Sequence, residues 1–312
     1  MIDVKTIAVV GAGTIGAGWA AFFAAKGFTV NLCDQELQIG LDGRQQAQNL
    51  MDTMARAGLI GQDDLQPAKE RIVVADGLDK AVENADFVVE AVKEDYGVKG
   101  AVYQEISRAA RPEVVLASSS SGLLMSRIQE NVENPERSLI AHPFNPPHLV
   151  PLVELVPGRM TASTTLYETK TFFESLGKIP VTLNKEMTGH IANRLAAAVW
   201  REAIHLVNEG VASVEDVDKA LYAGPGLRWS FMGQHLIYHL GGGQGGLKHF
   251  MDHLLPAMET WWADLADWTR MPEDAPEKLL EGVERETGGK SMSELVDWRD
   301  DRLIRIVKAI YQ

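Results

Sequence analysis

The segment Ile7-Ala8-Val9-Val10-Gly11-Ala12-Gly13-Thr14-Ile15-Gly16 restricts the fold of this chain more than any other. An apolar run of strand length leads into three glycines in G-x-G-x-x-G spacing, and an alanine-rich helical pattern follows. A second β-rich run, Phe28 to Cys33, then ends at Asp34. Each part has a mechanical reason. Gly11 permits a tight turn, Gly13 lets the backbone approach a pyrophosphate, and Gly16 lets the helix pack closely on the strand. The start of the helix presents N–H groups and a positive dipole end to that pyrophosphate. A carboxylate at position 34 accepts hydrogen bonds from ribose hydroxyls and repels a 2′-phosphate, which selects NAD over NADP. The cofactor set read from this segment is Gly11, Gly13, Thr14, Ile15, Gly16 and Asp34.

Further strand-like runs follow at 71–76, 86–92, 113–119, 138–144 and 152–156, with helical segments between most of them. Their continuous Val/Ile/Leu character is what a parallel sheet covered on both faces requires. The expected fold is therefore α/β, a Rossmann-type doubly wound and mostly parallel sheet. After about residue 185 the strand signals stop. A long helix is expected over 187–210, and shorter ones over 213–222, 230–240, 247–262, 276–286 and 293–310. This second part reads as a smaller all-α domain, so the expected domains are 1–185 and 186–312. A chain of 312 residues is long enough for two cores, because single cores stop growing at about 250–300 residues.

A formal charge of −13 argues against nucleic acid, whose phosphates call for clustered Lys and Arg. No apolar run approaches the roughly 18 residues of a membrane helix, so no membrane partner is expected. The N-terminus does not read as a signal peptide. Cys33 is the single cysteine, which rules out an internal disulfide framework and fits a cytoplasmic protein. His235 and His239, like His249 and His253, stand four apart on a helical face. No acid follows the first histidine and no third ligand is evident, so no metal is expected.

Ligands of open α/β sheets bind beyond the carboxyl ends of the strands. In this chain those ends carry the glycine turn, Asp34, Glu94, the four serines 118–121 and His142. His142 opens "HPFNPPHLVPLVE", which closes at Glu154. By itself a histidine there reads either as a satisfied core or turn residue or as a functional one, and its place among the strand-end polar residues favours function.

Taken together, Ser121 in the strand-end hydroxyl cluster, His142 in "HPFNPP", Glu154 twelve residues later and Asn193 in "GHIANR" resemble the 3-hydroxyacyl-CoA dehydrogenase superfamily, over essentially the full chain. The resemblance implies that these four form the catalytic set. It also implies that Glu94 and Lys99, in "VEAVKEDYGVK", contact the nicotinamide ribose. Two departures stand out: His190 occupies the usual phenylalanine position of the "GFxxNR" pattern, and 51–70 has no clear basic counterpart of the coenzyme A-binding insertion.

The wording of "GPGLRWSFMG" and of the last twenty residues is closest to a shorter branch whose members oxidise L-carnitine or L-gulonate. The implied activity is NAD-dependent oxidation of the 3-hydroxyl of L-carnitine, by a homodimer. L-gulonate or a short 3-hydroxyacyl-CoA is the alternative substrate, and a non-catalytic NAD-binding protein is the alternative of another class. A quaternary ammonium has no N–H to donate and is held by aromatic faces, for which Trp229 and Phe231 are the candidates. Arg228 is the candidate for the carboxylate.

Overall fold

The computed structural model describes residues 4–311. It divides into two compact units, the first ending at Asn193 and the second beginning at Arg194; the last strand signal in the sequence puts the boundary at 185/186.

The first unit alternates strand and helix: β1 (Thr6–Val10), α1 (Thr14–Ala25), β2 (Thr29–Cys33), α2 (Leu37–Arg56), α3 (Gln62–Glu70), β3 (Ile72–Val74), α4 (Leu78–Val82), β4 (Phe87–Glu90), α5 (Tyr96–Ala109), β5 (Val115–Ser118), α6 (Met125–Ile128), β6 (Ser138–Pro143), β7 (Leu152–Pro157), α7 (Ser163–Ser175) and β8 (Ile179–Thr182). The eight strands form one sheet in the order β3-β2-β1-β4-β5-β6-β7-β8. All neighbours are parallel except β6 and β7, which are antiparallel. This is the doubly wound Rossmann sheet that the glycine turn and the Val-rich runs predict.

Strand periodicity sends alternate residues to opposite faces. Ala8, Val10, Val88, Leu116 and Ile140 share one core with Tyr103, Ile106, Met125 and Ile128. On the other face Phe87 meets Phe172 and Phe173 of α7, and these rings join Trp19 and Phe23 of α1. Trp19 is fully buried and stacks on Phe23 at 5.1 Å, a pairing worth about 0.5–1.5 kcal/mol beyond its area. The aromatic layer fixes α1, and with it the glycine turn, against the sheet.

Strand β8 is not among the strand-like runs expected from the sequence. It has four residues and includes Pro180, and a proline within a run argues against a strand.

The second unit is helical: α8 (Ala192–Asn208), α9 (Val214–Ala223), α10 (Pro225–Trp229), α11 (Gln234–Gly241), α12 (Gly246–Asp264), α13 (Ala275–Thr287) and α14 (Met292–Tyr311). Two local expectations are corrected. The 187–210 helix begins only at Ala192, because Gly189 (φ 76) and His190 (φ 51) adopt the left-handed region, which a helix cannot include. The segment left between the expected helices 213–222 and 230–240 holds the short α10, with Pro225 in its first helical turn. Among the described residues no helix is long and apolar enough to cross a membrane.

Candidate active site

The first part of the site is the turn between β1 and α1. Gly11 has φ 101, and a Cβ there would lie 2.6 Å from the Ala91 carbonyl oxygen. At Gly16 a Cβ would lie 1.8 Å from the Gly11 carbonyl oxygen. Gly13 is different: nothing stands within 4 Å of its Cβ position, so its backbone borders open space. No side chain caps α1, whose first turn is Thr14-Ile15-Gly16-Ala17 and contains no acid. Its leading N–H groups are therefore available to phosphate oxygens. Asp34, just past β2, accepts the Ala12 N–H on Oδ2 at 2.7 Å and the Gln35 N–H on Oδ1 at 2.8 Å. It is tied to the glycine turn while each oxygen keeps a lone pair for a ribose hydroxyl. These residues fit a dinucleotide.

Behind the ends of β4 and β5 lies a buried polar network. Glu90 accepts from the Lys99 ammonium at 2.7 Å, from the Val92 N–H at 2.7 Å and from the Ser118 hydroxyl at 2.6 Å. Lys99 is buried, and its ammonium also lies 3.3 Å from the Val92 carbonyl oxygen and 3.5 Å from Glu94. Glu94 in turn accepts the Ser120 hydroxyl at 2.7 Å and the N–H groups of Ser121 and Gly122 at 2.9 Å each. Burial would push the Glu94 carboxyl up, but the Ser120 hydroxyl, the Lys99 charge and the two N–H groups outweigh it and hold it below the usual range. Sequence reasoning named Glu94 and Lys99 and did not name Glu90, the carboxylate that holds the buried Lys99 ammonium. The available signal was an acid at the end of a buried apolar strand, which must have a cationic or hydrogen-bonding partner.

Three of the four serines are consumed by the structure. Ser118 donates to Glu90, Ser119 accepts from the Trp19 indole at 3.1 Å, and Ser120 donates to Glu94. Ser121 is exposed, and the protein holds it through its backbone, by its N–H on Glu94 and its carbonyl on the Asn193 amide at 3.0 Å. The structure thus brings Ser121 and Asn193 together.

The second centre is the antiparallel pair β6–β7. The register sets His142 directly opposite Glu154, which is the meaning of their spacing in sequence: two strands joined by the proline-rich loop, which contains a cis Asn145–Pro146 bond. His142 Nδ1 lies 2.8 Å from Glu154 Oε2, and both side chains are buried. The other carboxylate oxygen, Oε1, accepts the N–H groups of Ile191 and Ala192 at 2.9 Å each. One carboxylate therefore faces an imidazole and satisfies the first N–H groups at the start of α8, where the dipole favours negative charge. Burial would raise the Glu154 carboxyl, yet the His142 hydrogen bond and the two backbone N–H groups leave it below the ordinary value of 4.5. An ionised Glu154 only accepts, so the Nδ1 atom of His142 carries a proton; in the neutral imidazole that tautomer leaves the lone pair on Nε2.

In the second unit, Trp229 is 39% and Phe231 59% exposed. The Trp229 indole donates to Gln234 at 2.6 Å, leaving its ring face uncommitted by that bond. Arg228 lies in α10 beside them in sequence. One imidazole of each histidine pair meets backbone: His239 accepts the Leu247 N–H at 3.2 Å, and His253 Nδ1 lies 3.0 Å from the His249 carbonyl oxygen. Among the described residues no group of three His, Cys, Asp or Glu side chains is placed to hold a metal.

A dinucleotide turn and a buried imidazole–carboxylate pair on one mostly parallel sheet define a class, the NAD-dependent oxidoreductases. The 3-hydroxyacyl-CoA dehydrogenase NAD-binding domain matches residues 6–187, and the 3-hydroxyacyl-CoA dehydrogenase C-terminal domain matches 189–281. The chain belongs to the 3-hydroxyacyl-CoA dehydrogenase family. It is 37% identical to an L-carnitine dehydrogenase of Bacillus cereus over 99% of this chain and 93% of that one. With an L-carnitine dehydrogenase of a Pseudomonas species it shares 39% identity, over 98% of this chain and 94% of that one. The crystal structure of an NAD+-dependent 5-formyl-3-hydroxy-2-methylpyridine 4-carboxylic acid 5-dehydrogenase has the same fold, with a TM-score of 0.83, 24% identity and 98% coverage of both chains.

Proposed function

We propose that the protein oxidises the 3-hydroxyl of L-carnitine, with His142 as general base. The observation that carries the substrate is the near full-length similarity to L-carnitine dehydrogenases at 37–39% identity. NAD held at the glycine turn would supply the acceptor for the hydride of the carbinol carbon. His142 Nε2 takes the hydroxyl proton, and Glu154, hydrogen-bonded at Nδ1, fixes the tautomer and stabilises the imidazolium that forms. Ser121 and Asn193 hydrogen-bond the substrate oxygen, in the reverse direction stabilising the developing alkoxide. Gly11, Gly13, Thr14, Ile15 and Gly16 hold the pyrophosphate and Asp34 the adenosine ribose. Glu94, ordered by Lys99, addresses the nicotinamide ribose.

Trp229 and Phe231 hold the trimethylammonium group by their ring faces and Arg228 the carboxylate. The helical unit pairs with a second copy of the chain. Its exposed Leu195, Trp200, Leu227, Trp261 and Trp262 are the apolar side chains such a pairing would cover.

The test is NADH formation from NAD with L-carnitine, L-gulonate and 3-hydroxybutyryl-CoA supplied separately. Turnover of L-carnitine alone is expected. Turnover of the sugar acid or the thioester in its place overturns the cation site. His142→Ala is expected to lose turnover while still binding NADH, and a mutant with near-normal turnover removes His142 from the mechanism.

A further inference from the structure

His190 departs from the family pattern, and its surroundings make it more than a substitute for phenylalanine. Among the described residues it is the only non-glycine with positive φ, a conformation that histidine tolerates better than most side chains. That conformation ends the turn begun by Met187, whose carbonyl accepts the His190 N–H at 3.0 Å. The chain then presents the N–H groups of Ile191 and Ala192 to Glu154. The His190 side chain is 1% exposed. Its Nε2 lies 3.1 Å from the Ser120 carbonyl oxygen, and its ring centroid lies 5.4 Å from that of His142. A carbonyl only accepts, so Nε2 carries the proton. Nδ1 is buried without a hydrogen-bond partner. Burial pushes the His190 pKa down, and the neighbouring His142 adds to that shift. The Ser120 carbonyl, Glu154 and the Met187 hydrogen bond oppose it without cancelling it. The ring is therefore neutral, and its Nδ1 keeps a lone pair.

We propose that His190 is a positioning residue for the dehydrogenase reaction: its Nε2–H bond to the Ser120 carbonyl locks the turn that presents Ser121 in register with the His142–Glu154 pair. Its backbone and side chain serve the same end, since one aims two N–H groups at Glu154 and the other joins the β5 turn to them. The inference rests on the reading of His142 as general base.

Two variants and one spectrum test it. His190→Phe keeps an aromatic ring and removes the donor, leaving a buried carbonyl without its partner; kcat is expected to fall roughly five- to a hundredfold, with NADH affinity near wild type and a melting temperature lowered by several degrees. His190→Gln supplies an amide donor and is expected to recover most of the loss. A His190→Phe enzyme with kcat within twofold of wild type shows that only ring volume matters and overturns the proposal. So does a folded His190→Gln enzyme no better than His190→Phe. Nitrogen NMR of the wild-type imidazoles, with the His190→Gln spectrum assigning the ring, is expected to show the neutral Nε2-protonated tautomer at pH 7. An Nδ1-protonated or doubly protonated ring overturns the proposal even if a variant fails to fold. Failure of the general-base reading is separately visible, as turnover by His142→Ala.

Discussion

Replacing Glu154 by glutamine separates charge from shape at the centre of the site. The carboxylate receives three hydrogen bonds, one from His142 and two from backbone N–H groups. A glutamine side chain offers one acceptor oxygen and one donor group. If its oxygen faces Ile191 and Ala192, its NH2 faces His142 Nδ1, which must then accept, and the imidazole proton moves to Nε2. The nitrogen facing the substrate is then no longer a base. The reverse orientation points an NH2 group at two N–H donors, so glutamine settles in the first. The expected loss is that of positioned proton transfer, about 10² to 10⁴ in kcat, or roughly 2.7–5.4 kcal/mol in the barrier. Stability falls less, by about 1–3 kcal/mol, because the N–H groups of α8 keep a neutral acceptor. The assay is steady-state kcat at saturating NAD and substrate, with NADH affinity by fluorescence and melting temperature as controls. The pH dependence of stability gives an independent check. The folded-state pKa of Glu154 lies below 4.5, so its stabilising contribution is complete above that pH and is lost as pH falls through the lowered value. Glu154→Gln removes that segment of the acid limb. A Glu154→Gln enzyme with kcat within threefold of wild type refutes the tautomer argument.

Gly16→Ala brings a methyl group to 1.8 Å from the Gly11 carbonyl oxygen; we expect a loss of about 1–3 kcal/mol in thermal unfolding and weaker NADH binding by fluorescence titration. Trp229→Ala is expected to raise the KM for L-carnitine roughly two- to thirtyfold, the range of one cation–π contact, with the KM for NAD unchanged in the same kinetic series. Lys178 is buried, donates to the carbonyls of Pro147 and Val150, and faces the rings of Trp19 and Phe22. Burial, with a smaller contribution from Lys26, pushes its pKa down from 10.5 to about 7. Between those values the unfolded chain holds a proton that the folded one has released, so this group makes stability rise with pH across that window. Denaturant unfolding at several pH values is expected to show a flatter rise in Lys178→Met.

How much of this was legible in the sequence depends on the kind of signal each residue leaves. The glycine turn and the place of Asp34 beside it were readable because both are local, set by backbone conformation and short spacing. His142 and Glu154 could be found, but not their direct opposition across β6 and β7, because antiparallel register depends on a turn whose geometry composition does not encode. Glu90 and Lys178 left only faint traces. Each is a charged residue in or beside a strand, and burial became visible only once partners distant in sequence were in place. The start of α8 was misplaced because helical periodicity runs through Gly189 and His190, while the hydrogen bonds from the following residues to Glu154 favour a turn there.

The single antiparallel step in the sheet has a consequence for how this protein tolerates change in length. Opposition of His142 and Glu154 is set by ladder pairing on both sides of them, with Ala141 facing Leu155 and Pro143 facing Val153. A residue inserted between Phe144 and Val150 alters the connection and leaves that ladder its register. The same insertion in β7 ahead of Glu154 turns every later side chain to the opposite face of the sheet, and the carboxylate leaves the histidine. Natural length variation in relatives should therefore collect in the connection and stop sharply at both strand edges.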